Sequence, residues 1–439
     1  MQNKTAVPSK TFKVLFNELI SWSLIYALFL RCGVRRRRPP EITQVELIQG
    51  LVFHVVAEAG TLAQHVKQLT GKRITDGALA QRRALLPPEL FDQMMRAALK
   101  PKADPRNHPE AFYKGLRLCG IDGSLFSVTN TPQVKKQMRK ARSRRGRAAF
   151  PKVGAAVMVE LSLHNPLAAA LGAKGESEMV LAKQVLSAQP AKSLLLSDRY
   201  YGVGALLVDL PAEEERHALS RVKTNLKRRL LETYPDGSAL VEIRSDKKKR
   251  LVREIVGKVQ RAGRGASTTV RLWTTLLDWR KYPAPELLAL YAKRWEQEVF
   301  YKELKVDARS TPFLQSHTPL TAIQEIAALI LAYAVLVDYR MEAADVGQVG
   351  VLRISFLKTL QVVQGLWQFL EVTSDLLTPA QVRLVVRRSL KRIADMAIPK
   401  RRQRSCPRAL RQPVSSWPRL RKNTYRKGSL SYSVDQIYV

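Results

Sequence analysis

Residues 291–305 read Tyr291-Ala-Lys-Arg294-Trp-Glu-Gln-Glu298-Val-Phe-Tyr-Lys-Glu-Leu-Lys305. They lie in a strongly helical run from Pro285 to Val306, so their spacing translates into direction. At about 100° per residue, Tyr291, Arg294, Glu298 and Lys305 stand at roughly 0°, 300°, 340° and 320°, a single stripe about 60° wide. Two further acids, Glu296 and Glu303, stand at about 140° and 120°, off that stripe. A carboxylate flanked by cations on one helix face is placed to work beside a phosphate. The same spacing also permits a plainer reading, in which Arg294, Lys302 and Lys305 only pair with Glu298 on the surface, worth a few tenths of a kcal/mol.

If Glu298 does chemistry on phosphodiesters, other acids should converge with it. Two divalent ions can run such a transfer, one activating the attacking oxygen and one stabilising the leaving oxygen, and they require hard carboxylate ligands on rigid elements. Upstream, Leu116 to Val128 and Val153 to Leu163 are apolar and β-rich, the second turning at His164-Asn165-Pro166 into Leu167 to Leu171. A helix is expected from Ser177 to Leu186, a short buried strand at Leu194 to Leu196, and another helix at Val203 to Leu210. This alternation predicts a mixed α/β sheet. Asp122 interrupts the apolar strand Leu118-Cys119-Gly120-Ile121-Asp122-Gly123-Ser124, where a charge is expensive unless it binds something. Asp198 ends the Leu194 to Leu196 strand in Ser197-Asp198-Arg199, at an edge where a sheet opens into a crevice. Each aspartate alone also reads as a turn cap; as a pair they read as ligands.

The run from Tyr291 to Lys305 matches, at all four fixed positions, the Tyr-x2-Arg-x3-Glu-x6-Lys signature of the insertion-sequence-4 family of DDE transposases, which the chain resembles over roughly residues 116–345. The resemblance implies an RNase H-like mixed sheet with helices, a β-rich insertion before the catalytic Glu helix, and an N-terminal helical domain. It implies Asp122, Asp198 and Glu298 as catalytic metal ligands, Mg2+ as cofactor with Mn2+ able to substitute, and transposon-end contacts by Tyr291, Arg294 and Lys305. Lys302 joins them as a candidate DNA contact. Ser197-Asp198-Arg199-Tyr200-Tyr201-Gly202 departs mildly from the family's Asp-Arg-Gly-Phe form, which leaves the aspartate in place. Related transposases stack a flipped base on an insertion-domain tryptophan during hairpin formation, a role open here to Trp273 and Trp279, although such tryptophans are more often core residues.

The expected organisation is a helical DNA-binding domain at 1–112, the catalytic core in two parts at 113–210 and 283–345, the β-rich insertion at 211–282 between them, and a basic region at 346–439 for DNA contact and synapsis. Near the N-terminus, Thr43 caps a helix through Val56, Thr61 opens another ending at Gly71, and a third starts after Thr75-Asp76 and stops at Pro87-Pro88. Gln81, Arg82 and Arg83 on that third helix could face a DNA groove, or the three helices could be a simple bundle. The basic loop Lys135 to Arg147, with Arg144 and Arg145, could clamp DNA or simply be solvated. From Arg383 onward the Arg-rich, Pro-interrupted chain reads as an extended or partly ordered DNA-tracking tail, or else as a solvated disordered one.

The 439 residues carry 74 Lys and Arg against 37 Asp and Glu, a net charge of +37, which makes a polyanion the first partner to expect. Cys32, Cys119 and Cys406 show neither disulfide nor zinc spacing. Leu15 to Leu30 reads as a buried helix rather than an export signal, and the apolar centre of the Leu320 to Tyr339 helix, Ile326 to Val337, is shorter than a membrane span. The expectation is therefore a bacterial cytoplasmic, nucleoid-associated transposase acting on double-stranded DNA at transposon ends and target. It would work without membrane association and as a dimer in the synaptic complex. The competing readings are an inactive or domesticated DNA-binding protein of the same fold, a nuclease that does not join, and a generic RNA-binding protein.

Overall fold

Among the described residues twelve strands form: β1 (Phe112–Tyr113), β2 (Leu116–Ser127), β3 (Arg142–Ser143), β4 (Gly146–Arg147), β5 (Lys152–Glu160), β6 (Asn165–Gly172), β7 (Ser193–Ser197), β8 (Arg216–Arg221), β9 (Arg229–Thr233), β10 (Ala239–Ser245), β11 (Lys248–Gln260) and β12 (Ser267–Thr274). The structure is a computed structural model that describes residues 12–399, excepting 34–39, 58–59, 139, 141, 144–145, 173–174, 212, 246, 261–266, 310, 312 and 374–375. Ten strands make one sheet in the order β6-β5-β2-β7-β8-β12-β11-β10-β9, with β1 beside β2, while β3 and β4 form a separate hairpin. Strand β2 pairs parallel with β7, and β7 with β8; the other pairings are antiparallel. The stretch expected as a β-rich insertion, 211–282, continues the core sheet: β8 pairs with β7 on one side and with β12 on the other.

The helices are α1 (Phe12–Leu19), α2 (Trp22–Arg31), α3 (Gln44–His54), α4 (Leu62–Thr70), α5 (Asp76–Ala84), α6 (Pro88–Ala98), α7 (Pro132–Gln137), α8 (Glu178–Leu186), α9 (Gly204–Asp209), α10 (Ala284–Tyr291), α11 (Trp295–Lys302), α12 (Pro319–Gly347), α13 (Phe356–Thr373) and α14 (Pro379–Asp395). Side chains leave a strand on alternate faces, and this divides the core. Leu118, Leu194 and Leu196 join the cluster built around α12, whereas Cys119, Ile121 and Leu195 join the cluster under α8 and α9. The sheet is therefore covered on both sides, as a parallel centre requires.

Helix α12 packs against α3, α6, α13, α14 and β6. It is longer than the sequence suggested: its 29 residues are long and apolar enough to cross a membrane, but 83% of its most apolar window is buried inside the protein, which marks a core helix. The N-terminal caps lie where the side chains put them, with capping boxes at Thr43 and Thr61 and Gly71 in the left-handed conformation after α4. Pro88, read as a stop, is also a start, because proline fits the first turn of α6. The expected single helix at 15–30 is two, bent by 58°, since Ser21 caps α2 and accepts from Leu24 N–H.

The segment from Arg383, expected as an extended or partly ordered tail, is helical as far as Asp395. A capping box at Thr378 starts α14, and Val382, Val386, Leu390 and Ile393 bury one face against α12 and α13. Helical periodicity among the arginines outweighed their charge. Residues 400–439 lie outside the described part of the chain.

Candidate active site

The two aspartates are neighbours because β2 and β7 run parallel in register. Ile121 is opposite Ser197, so Asp122 and Asp198 follow side by side where the pairing of β2 with β7 ends, β7 stopping at Ser197 while β2 runs on to Ser127. Alternation along β2 turns Asp122 to the face that carries α11: Gly120 lies under Gln297, and Ser124 Oγ accepts from Lys305 Nζ at 3.0 Å. Asp198 ends its strand in a tight turn, its Oδ1 accepting from Tyr200 N–H at 2.7 Å, while Gly202 N–H donates to Asp198 O at 3.0 Å. That turn tolerates only glycine at 202, since a Cβ there would lie 1.7 Å from the Arg221 carbonyl oxygen.

The expected single helix from 285 to 306 is α10, a 3-10 turn at Ala292–Arg294, α11 and a π-helical stretch at Glu303–Asp307. A 3-10 turn winds about 120° per residue and a π-helix less than the α value, so the uniform stripe does not hold in detail. The departures oppose one another, and residues of this segment still meet β2 and the end of β7. Tyr291 Oη donates to Ser197 O at 3.1 Å, beside Asp198. Tyr301 Oη donates to Asp122 O at 2.7 Å, and Lys305 Nζ reaches Leu125 O at 2.9 Å while lying 5.3 Å from the centre of the Phe126 ring. Glu298 Oε1 accepts from Arg294 Nη2 at 2.6 Å. Glu296 and Glu303 turn away to His164, at 3.1 and 2.7 Å.

Burial pushes the Asp122 carboxyl up to about 7, against the Gly123 N–H bond it accepts and the nearby Arg294, with the charges of Asp198 and Glu178 adding to the rise. Burial likewise raises the Tyr291 phenol to about 12. Arg294 is held above its ordinary value: burial opposes its charge, but the Glu298 hydrogen bond and the Tyr291, Glu298 and Asp122 groups outweigh that. Among the described residues, no three His, Cys, Asp or Glu side chains already stand at metal-holding spacing. The donors present are nonetheless all carboxylate oxygens, and a buried carboxyl crowded by like charges is the group a hard cation relieves.

This proton has a consequence for stability. Folded Asp122 keeps a proton that the unfolded chain releases near pH 4, so its contribution to stability is complete below that value and is lost as pH rises through about 7. In EDTA, wild type should therefore lose roughly 2–4 kcal/mol relative to Asp122→Asn between pH 4 and 8. Parallel denaturation curves check this, and a pH-independent gap between the two proteins would refute it.

Other expected contacts are placed differently. Arg83 is spent inside the protein, donating to Gln324 Oε1 at 2.9 Å, Ser316 Oγ at 3.1 Å and Thr321 O at 2.6 Å, while Arg82 donates to Ile42 O. These two tie α5 to the start of α12 and to the approach to α3, so they do not present a groove-reading face. Trp273 is core: it is 1% exposed and its indole N–H donates to Glu254 at 2.8 Å, leaving no ring face for a base. Trp279 is half-buried, stacked near Tyr234 with ring centres 6.2 Å apart and Arg280 5.3 Å above its ring. Lys302 pairs with Asp307 at 2.6 Å and stays exposed. Arg144 and Arg145 lie outside the described residues.

Sequence reasoning missed Glu178 and Tyr201. Glu178 opens α8 and lies directly over Gly123, and its Oε1 accepts from Tyr201 Oη at 2.5 Å. The Ser177 cap signalled a helix start, but no spacing linked it to Asp122.

Residues 114–335, about half the chain, match the family described as Transposase DDE domain. The chain is 25% identical over 397 residues, 88% of each protein, to Transposase InsG for insertion sequence element IS4 from Escherichia coli (strain K12). A solved piggyBac transposase synaptic complex with hairpin DNA aligns over 92% of this chain and 88% of that one, at 10% identity and a TM-score of 0.44. The chain belongs to the DDE-domain transposases, of the insertion-sequence-4 type that its signature indicated, and is a metal-dependent enzyme that cuts DNA and transfers its strands.

Proposed function

We propose that this transposase moves an insertion sequence by cut-and-paste transposition, with Asp122, Asp198 and Glu298 holding two Mg2+ ions for which Mn2+ can substitute. The observation that carries the site is the way the signature helix is tied to both strands, by Tyr291 at Ser197 O where β7 ends and by Tyr301 at Asp122 O within β2. When bound, the cations supply charge neutralisation at the scissile phosphate and ease activation of the attacking oxygen. The protein supplies position: Asp122 and Asp198 from adjacent strands, and Glu298 from the helix above them. Arg294 pairs with Glu298, and if that carboxylate held a cation the guanidinium would be available to a DNA phosphate. Tyr291 and Lys305 line the same track and would contact the transposon end.

The fold supports an RNase H-like reading. Taking β2, β5, β6, β7 and β8 as first to fifth, the sheet order is third-second-first-fourth-fifth, with the first strand parallel to the fourth and the fourth to the fifth. The helical N-terminal part, the strands inserted before the Glu298 helix and the region from 346 are assigned to end recognition, end processing and synapsis. Exposed Lys302 would add a peripheral phosphate contact, and Trp279 is the remaining aromatic candidate for base stacking. A net charge of +37 suits a dimer holding two DNA ends, acting on the cytoplasmic nucleoid.

The test is incubation of the purified chain with DNA carrying the gene's native flanks, in Mg2+ and in Mn2+. Release of 3′-hydroxyl ends followed by their joining to target DNA is expected. Binding of the ends without cleavage in either ion would leave a DNA-binding protein of this fold instead.

A further inference from the structure

Asp122 is on the face of β2 that carries α11, but what lies on the opposite face of the sheet is also ordered. Gly123, next to Asp122, presents no side chain there, and Glu178 occupies the space: a Cβ at Gly123 would lie 2.3 Å from the Glu178 carboxyl carbon. The Glu178 carboxylate accepts the Tyr201 hydroxyl at 2.5 Å. Tyr201 is fully buried, packed within the cluster of α8 and α9, and belongs to the turn that Asp198 closes, its own N–H 3.4 Å from Asp198 Oδ1. The path is therefore short and continuous: strand β2 at Gly123, Glu178, Tyr201, and the turn bearing Asp198.

We propose that Glu178 and Tyr201 are a positioning pair, whose hydrogen bond ties the Asp198 turn to α8 at the point where Glu178 packs on the Asp122 strand, and so sets the separation of the two metal-holding carboxylates. Neither touches DNA; both act through the aspartates, as groups behind metal ligands do elsewhere. Backbone pairing of β2 with β7 ends at Ile121 and Ser197, one residue before the aspartates. The register bonds therefore stop short of the site, and a side-chain bond beyond them is needed to hold the turn. The inference rests on the assignment of Asp122 and Asp198 above.

The test uses the full-length protein on its end DNA and reads Mn2+ binding by loss of the free-ion paramagnetic resonance signal, with Asp122→Asn as the baseline. Tyr201→Phe and Glu178→Ala, which break the bond, should raise half-saturating Mn2+ by roughly 10-fold to 100-fold, with end-DNA affinity unchanged. Glu178→Gln, whose amide oxygen still accepts from Tyr201, should restore most of the affinity. Should Tyr201→Phe melt early, Glu178→Ala against Glu178→Gln decides the matter. The pair is overturned if Tyr201→Phe and Glu178→Ala bind Mn2+ as wild type does. It is also overturned if Glu178→Gln is as weak as Glu178→Ala, because the charge and not the bond would then matter. If wild type itself binds no more Mn2+ than Asp122→Asn, the site assignment fails, and the pair with it.

Discussion

Asp122→Asn and Glu298→Gln should each abolish strand cleavage, by at least about 1,000-fold or roughly 4 kcal/mol of transition-state stabilisation, while both proteins still bind the ends. The two substitutions remove one negative charge each and keep the shape, so the loss reports charge rather than folding. They are expected to differ in the ground state. Asparagine at 122 relieves a carboxyl that burial has pushed up to about 7, so that variant should be at least as stable as wild type near neutral pH without metal. Glutamine at 298 weakens the bond to Arg294, which is only 15% exposed, so end affinity should fall slightly or rise according to whether Arg294 is released to phosphate. Cleavage rates and end-binding isotherms at matched salt measure both. Cleavage retained within tenfold in either variant would remove that residue from the site.

Glu303→Gln should be the most destabilising of the conservative changes, by about 3–5 kcal/mol. Glu303 is 5% exposed and accepts from His164 Nδ1 at 2.7 Å, Tyr333 Oη at 2.6 Å and Arg340 Nη1 at 3.2 Å. Burial works against its charge, but the His164 and Arg340 charges hold it well below the usual carboxylate range. His164 is raised in turn: burial opposes its protonation, and Glu303, with the bond to Glu296, overcomes that. A raised histidine stabilises fully below its unfolded value near 6.5 and ceases to do so as pH rises through its folded value. The deficit of Glu303→Gln should therefore be largest near pH 6 and shrink toward alkaline pH. Urea denaturation at several pH values measures it, and a deficit under about 1 kcal/mol at pH 6 would show that no buried charge network is at stake. Because Glu303 begins the π-helical stretch that ends the Glu298 helix, this network also anchors that helix to α12 and to the turn before β6.

Much of this protein was legible one residue at a time. Caps announced themselves through side chains that bond their own backbone, at Thr43, Thr61 and Ser177. Strand β2 showed through its apolar run, and Asp122 stood out because a charge there needs a reason. Arg83 and Trp273 misled for a shared reason. Basic and aromatic side chains suit DNA and protein interiors equally, and only the neighbours decide: the start of α12 for Arg83, and Glu254 for Trp273.

By itself the sequence determined the local periods, the signature spacing and the excess of positive charge, because each depends on residues close along the chain or on a sum over it. The tertiary structure alone decided that β2 and β7 lie side by side, that β8 carries the core sheet onward into β12, and that Glu178 slides under Gly123. These are contacts between residues far apart in sequence, chosen by burial of both sheet faces at once, and no local pattern encodes which distant partner wins.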